Sequence, residues 1–456
     1  MGVIVPQGAG TGGNGIQVVA FREGWYSCLE RRADAMFELT DALLCSDRPL
    51  TSFPHLSLEP EFRRGWGSGY AALAAGRVDV EAVRDLLATH RPPDWPLVFA
   101  VDASTVERCD AETSPGRGFY YHASKHSAGQ PIVAGWSYQW IAQLNWARDS
   151  WTAPMDARRI HPREDSIRTT LSQVRELVRR LGSSGPVPMF VFDAGYDPIA
   201  LAHELRDDRV AVLVRIKGDR VFYADPPPRK AGAKGRPRRH GKRFDCEKAA
   251  GWPPPDHKLV STDHQYGRVV VQAWSNLHPK LNTRGHWAGL DEPPIVRGTV
   301  IRVQVERLPG PAGRTLKTLW LWWSGPGEPD LDLCWRAYIR RFDIEHTIRF
   351  SKNTLGWTTP SLRHPEQADR WTMVILAALT QLRLVRSMVA DHRLPWERPR
   401  DLGRLTPARV RRGFRCIRTT FPFVASPPKP CGVGPGRPKG SSRGPAQRHP
   451  AIKKAA

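Results

Sequence analysis

"VPMFVFDAGYDPIALAHELRDDRVAVLVRI", residues 187–216, decides the class of this chain. It opens on a short apolar run typical of a buried strand, which stops at Asp193. A helical stretch, "IALAHELRDD", follows, and then a second buried strand, "RVAVLVRI". Strand, helix, strand with apolar strands is the pattern of an α/β sheet covered by helices. Working outward, "WPLVFAVDAS" (95–104) is a strand of the same kind ending in Asp102. Residues 164–181 put Ile167, Leu171, Val174, Leu177, Val178 and Leu181 on one helical face, with Gly182 as the stop. Between them, "HASKHSAGQPIVAGWSYQWIAQLNW" reads as strands with glycine breaks.

The totals agree with a globular protein that carries polar appendages. The chain has 456 residues, 40% of them hydrophobic, and a formal net charge of +23. Length allows roughly three domains of about 150 residues. So large a positive charge implies a partner of dense negative charge, and nucleic acid fits better than a membrane surface. No stretch of about 18 apolar residues occurs, and "MGVIVPQGAGTGGNG" lacks the basic and apolar regions of a signal peptide, so the expected place is the cytoplasm, on nucleic acid. Seven scattered cysteines with no Cys-x-x-Cys pair argue against a disulfide framework or a structural zinc site.

From about residue 219 the character changes. Residues 226–244 hold eight Lys or Arg and no acid, and alternating stretches such as "KLVSTDHQYGRVVVQAW" and "GTVIRVQVERL" read as further strands. Helical pattern returns at about 331. There "YIRRFDIEHTIRFSK" (338–352) sets Tyr338, Arg341, Glu345 and Lys352 at intervals that share roughly a 60° arc of an α-helix. A solvated helix face can carry such residues too. Beyond Asp401 the chain has thirteen Lys or Arg and no acid, which predicts a tail disordered until it meets a polyanion.

Two strands that end in aspartate and one helix that carries a glutamate suggest chemistry. A carboxylate at the C-terminal end of an α/β strand lies at the edge where ligands bind. Three converging carboxylates would repel one another unless hard divalent cations neutralised them, and Mg²⁺ or Mn²⁺ suits oxygen ligands. Two such ions can drive in-line displacement at phosphorus, by water or by a 3′-hydroxyl. Other acids fit less well. Asp343 lies about 200° from Glu345 on a helix; Asp197, just before a proline, reads as a cap or turn residue; Asp110 and Glu112 read as solvated loop acids.

"VFAVDAS", "FVFDAGYDP" and "YIRRFDIEHTIRFSK" together resemble the three acidic motifs of insertion-sequence DDE transposases with an RNase-H-like core, and the last resembles the Tyr-Arg-Glu-Lys signature of one subgroup. The separations are 91 positions (102 to 193) and 152 positions (193 to 345), the second long enough for a β-rich insertion. The resemblance covers roughly 95–385. It implies that Asp102, Asp193 and Glu345 are catalytic and hold two Mg²⁺ or Mn²⁺ ions, and that Tyr338, Arg341 and Lys352 contact DNA at the cleaved end. It further implies a homodimer that synapses two ends of double-stranded DNA.

The expected organisation is a helical DNA-binding region over 1–90, core over 91–218, a β-rich insertion with a basic loop over 219–330, core again over 331–395, and a basic, largely disordered tail over 396–456. "GRPRR" (235–239) and "GRPKG" (436–440) resemble AT-hook cores, which adds Arg236, Arg238, Arg437 and Lys439 as DNA contacts; simple phosphate binding explains them as well. His122 and His126 have an i, i+4 spacing but extended flanks, which favours a structural or DNA-facing role over metal ligation. "WLWW" at 320–323 reads as a core strand. A stand-alone RNase-H-like nuclease and a noncatalytic, domesticated DNA-binding protein are the rival readings.

Overall fold

The computed structural model describes residues 11–121, 131–229, 231–232, 234–309, 318–430, 438, 440–441 and 444–453. Four helices come first: α1 (Thr11–Ser27), α2 (Ala33–Cys45), α3 (Trp66–Ala75) and α4 (Val80–Thr89), with the short strands β1 (Leu29–Arg31) and β2 (Arg77–Val78) between them. Then follow β3 (Val98–Glu107), β4 (Gly118–Tyr121), β5 (Ile132–Leu144), β6 (Thr152–Ile160), α5 (Ser166–Leu181), β7 (Met189–Phe192), α6 (Pro198–Glu204) and β8 (Ala211–Ile216). The strands β9 (Val221–Tyr223), β10 (Arg243–Asp245), β11 (His257–Asp263), β12 (Gly267–Leu277), β13 (Gly298–Val305) and β14 (Thr318–Ser324) lead to α7 (Leu331–Arg340), α8 (Phe342–Asn353), α9 (Pro365–Leu384) and α10 (Pro407–Arg418).

The chain divides into two compact units. One comprises 1–96, 103–166 and 343–456; the other comprises 97–102 and 167–342, so β3 gives its first half to the second unit and its remainder to the first. In the second unit the strands run β11-β12-β13-β14-β8-β7-β3, and in the first β5 follows β3 and pairs with β4 and β6. The order β6-β5-β3-β7-β8, with β7 parallel to both β3 and β8, is that of an RNase-H-like sheet. The fold class is therefore the mixed α/β arrangement the strand-helix-strand pattern predicts. The β-rich stretch from 219 onward extends this same sheet, because β14 pairs antiparallel with β8.

In the first unit α9 is the hub. Its residues Trp371 to Leu382 are buried all round, as a helix with apolar residues on every face must be. Trp357 packs against it, its indole N–H bonded to Thr372 Oγ1 (2.9 Å), and Trp371 of the helix donates in return to the Gly356 carbonyl (3.1 Å). In the second unit the tract 320–323 is buried as expected, and Trp322 stacks on Phe222 at 5.3 Å.

Two expectations need correction. The expectation of a disordered tail does not hold over 407–418, where α10 forms and buries Val410 and Phe414. Its five arginines find partners, three of them more than 350 residues earlier in the chain. Arg418 donates to Asp41 (2.8 Å), Arg411 to the carbonyls of Leu43 and Arg48, Arg409 to Asp391, Arg412 to Glu397 and Arg415 to Glu59. Charges satisfied inside the protein are not held in reserve for a polyanion. Farther on, the Ile452 N–H bonds the Arg117 carbonyl (2.7 Å) and the His449 N–H bonds the Glu112 carbonyl (2.7 Å).

The second correction concerns 338–352, which is not one helix. α7 ends at Arg340, Arg341 caps it, and α8 starts at Phe342, so the four-residue stripe is divided between two elements.

Candidate active site

The β3–β7 ladder sets the geometry. Val98 pairs with Met189, Phe99 with Phe190 and Ala100 with Val191, all in parallel register. That offset of 91 is also the offset from Asp102 to Asp193, so two more steps along the ladder put the aspartates opposite one another. Neighbouring strands lie about 4.8 Å apart, and equal offsets in parallel strands share a face. The structure differs from the sequence reading in one respect: β3 does not end at Asp102 but runs on to Glu107, and only its pairing with β7 stops short.

Asp193 follows the last residue of β7 and turns the chain with its own side chain. Its Oδ1 accepts the Gly195 N–H at 2.8 Å. A Cβ on Gly195 would stand 3.1 Å from that same oxygen, which explains a glycine two positions after the aspartate. Asp197 caps α6, accepting the N–H groups of Ile199 (2.9 Å) and Ala200 (3.1 Å), as its place before Pro198 suggests.

Two further side chains converge here. An Arg341 Nη lies 3.8 Å from Asp102 Oδ2, and its guanidinium carbon is 5.9 Å from the Tyr338 ring centroid. Tyr196, half-buried with its ring 5.0 Å from Phe192, has a phenol held well above its ordinary pKa. Burial is the largest cause, followed by the carboxylates of Asp102 and Asp193, while Arg341 opposes them. One phenol thus feels both aspartates and the arginine. Asp102, Asp193, Tyr196 and Arg341 form a single electrostatic group.

Tyr196 is the residue that sequence reasoning missed. The signal was its place three residues after Asp193, in a loop too short to carry it far. Its raised pKa has a measurable consequence. A tyrosine whose folded pKa exceeds its unfolded value stabilises the fold below the unfolded pKa, about 10, and loses that contribution as pH climbs toward the folded value. The phenolate difference spectrum of the parent against Tyr196→Phe should therefore show no ionisation from this residue at pH 10, and stability should decline above that pH more in the parent than in the variant.

The other site residues are distributed as follows. Glu345 and Lys352 lie on α8 in the first unit, both half-buried, with Lys352 Nζ 5.8 Å from the Trp357 ring. Asp343 is buried on that helix, whereas Glu345 is not, which agrees with their expected divergence. Thr347 Oγ1, also buried, shares a 2.8 Å hydrogen bond with Thr152. Arg236 is exposed and pairs with Glu292 at 2.5 Å, Arg239 pairs with the same carboxylate at 3.0 Å, and Arg238 is exposed. Arg437, Lys439, His122 and His126 lie outside the described residues.

Among the described residues no group of three His, Cys, Asp or Glu side chains is arranged to hold a metal ion. The donors of the aspartate pair nevertheless fit one. Two hard carboxylates side by side, where the β3–β7 pairing stops, concentrate negative charge, and the guanidinium 3.8 Å from Asp102 offsets only part of it.

Comparison with known proteins now defines the class. The family model for DDE superfamily endonucleases matches residues 25–278, more than half of the chain, and the chain belongs to that family. Among solved structures, a piggyBac transposase synaptic complex with hairpin DNA is similar over 89% of this chain and 77% of its own, with 11% identity and a TM-score of 0.37. That likeness is too distant to bear on function. No curated protein matches the chain. Among the described residues no helix is long and apolar enough to cross a membrane.

Proposed function

We propose that this chain is the transposase of an insertion sequence, which cuts DNA at the element's ends and joins those ends to target DNA. The observation that carries the reading is the β3–β7 register, which aligns Asp102 with Asp193 at the edge of an RNase-H-like sheet. Asp102, Asp193 and Glu345 would hold two Mg²⁺ or Mn²⁺ ions. Such ions, when bound, supply an activated water or 3′-hydroxyl and stabilise the leaving oxygen.

The chain's own side chains do the rest. Arg341 presents a planar fork suited to a phosphate, Lys352 a point charge, and Tyr338 a ring that can stack on a base or bond a phosphate. Tyr196, kept protonated, presents a neutral phenol in the field of both carboxylates. Arg236, Arg238, Arg437 and Lys439 would add sequence-neutral contacts to phosphates. Double-stranded DNA is the partner, a homodimer in a synaptic complex the working form, and the nucleoid in the cytoplasm the place.

A strand-transfer assay tests the reading. DNA bearing the element's ends, a supercoiled target and Mg²⁺ should yield joined products. Cut ends that are never joined would favour a stand-alone nuclease, and DNA binding without cutting would favour a domesticated, noncatalytic protein. Inverted repeats around the gene, with a short direct duplication outside them, are the corresponding genomic expectation.

A further inference from the structure

Asp225, His278 and His240 stand in a line of titratable groups that the aspartate site does not use. His278 directly follows β12 and is fully buried. Its backbone holds the end of β9: the Tyr223 N–H bonds the His278 carbonyl at 2.7 Å, and the His278 N–H bonds the Tyr223 carbonyl at 2.9 Å. On one side of its ring Nδ1 lies 3.6 Å from Asp225 Oδ1, and on the other Nε2 lies 3.0 Å from His240 Nδ1, within hydrogen-bond distance. His240 is half-buried, its ring 5.2 Å from that of Tyr223. It closes the basic loop that carries Arg236 and Arg238, both exposed.

Charge fixes where the protons of this line sit. Both oxygens of Asp225 accept from Arg297 Nε, at 3.1 and 3.0 Å, so Asp225 is a carboxylate. His278 Nδ1 is buried without a hydrogen-bond partner, and the field of the carboxylate facing it favours an N–H there over a lone pair. A neutral imidazole has one N–H and one lone pair, so His278 Nε2 accepts and His240 Nδ1 donates. The lone pair of the line is left on His240 Nε2, which makes no hydrogen bond among the described residues. A proton added at that nitrogen keeps the bond between the two rings and makes it charge-assisted.

The surroundings hold that proton off in the free protein. Burial is the largest cause that lowers the His240 pKa, and the charges of Arg239 and Lys280 add to it. Burial leads for His278 as well; His240, Arg297 and Arg239 act in the same direction, and Asp225 opposes them. At neutral pH the line therefore carries no imidazolium. The same loop has a place for an anion: Glu292 Oε1 meets Arg236 at 2.5 Å and Arg239 at 3.0 Å. Phosphates laid along the loop would neutralise the cations that keep His240 uncharged.

We propose that His240 is a phosphate contact that takes up a proton when DNA binds, its imidazolium supported through His278 by Asp225. The proposal rests on the reading that the chain acts on DNA. One proton leaves the buffer and bonds to His240 Nε2, and nothing else changes covalently. Binding is thus coupled to proton uptake and strengthens as pH falls through about 6.5, whereas Arg236 and Arg238 carry the same charge throughout.

Calorimetric titration of the full chain with a duplex of unrelated sequence tests this. Runs at about pH 6.5 and fixed salt, in buffers of different ionisation heat, count the protons taken up. The parent should take up about half a proton more than His240→Gln, and its affinity should rise about threefold more than that of the variant between about pH 7.5 and about pH 6. Asp225→Asn, which keeps His240 and alters an exposed side chain, should lose most of the same uptake. Equal uptake by the parent and a folded His240→Gln overturns the proposal, as does a parental affinity that falls with acid. Should His240→Gln fail to fold, parental uptake by Asp225→Asn overturns it instead. A parent that binds no duplex at any pH overturns the DNA reading itself, an outcome distinct from binding without proton uptake.

Discussion

Asp102→Asn and Asp193→Asn should each lower Mg²⁺-dependent cleavage of end-bearing DNA by about 10³-fold, equivalent to about 4 kcal/mol of transition-state stabilisation, with no loss of fold. Asparagine keeps the shape and the hydrogen bond that Asp193 Oδ1 accepts from the Gly195 N–H, and removes the charge that would bind a cation. A second readout needs no activity. Both carboxylates raise the Tyr196 pKa, so neutralising either should let that phenol ionise at lower pH than in the parent. Glu345→Gln should match the loss of cleavage. Parental cleavage by all three variants would remove these residues from the chemistry.

Asp41→Asn should be the most damaging single change to the fold. Asp41 is fully buried and accepts from two arginines: Arg22 at 2.6 and 2.9 Å, and Arg418 at 2.8 Å. Arg22 also bonds Gln381 of α9 at 2.8 Å, so one carboxylate ties α1, α2, α9 and α10 together. Removing its charge leaves two buried guanidinium groups uncompensated, a loss of about 3–5 kcal/mol. In a protein of this size that lowers Tm by about 4 °C. Scanning calorimetry of Asp41→Asn beside Asp193→Asn gives the contrast, since the first should fall and the second should not. A Tm for Asp41→Asn within about 2 °C of the parent would show that the network relaxes without strain.

Much of the fold was legible because strands buried on both faces announce themselves. "FVF" and "VLV" cannot sit in a solvated loop, and the helix between them forces a parallel crossover. The two aspartates were legible for the same reason, since each closes such a run. Tyr196 was not singled out, because a tyrosine near a turn has no period to betray it. The stripe over 338–352 was misread as one helix. Spacing alone does not show that the helical run is interrupted at Arg341, which leaves Tyr338 on α7 and Glu345 with Lys352 on α8.

The basic C-terminal region taught the opposite lesson. Composition shows thirteen cations and no acid after Asp401, and that pattern alone predicts a solvated polycation. Arg409, Arg411, Arg412, Arg415 and Arg418 nevertheless turn inward, because Asp41, Glu59, Asp391 and Glu397, all earlier in the chain, are brought to them. Local charge density carries no information about such partners.

By itself, then, the sequence determined what is local and periodic: the buried strands, the helices between them, the carboxylates at strand ends and the excess of positive charge. Only the tertiary structure decided what those residues meet. Register between β3 and β7, the placing of Arg341 beside Asp102, and the burial of Arg418 on Asp41 all depend on segments from about 90 to nearly 400 residues apart. Pairing over such distances is fixed by the packing of the whole chain, and no window of neighbouring residues contains it.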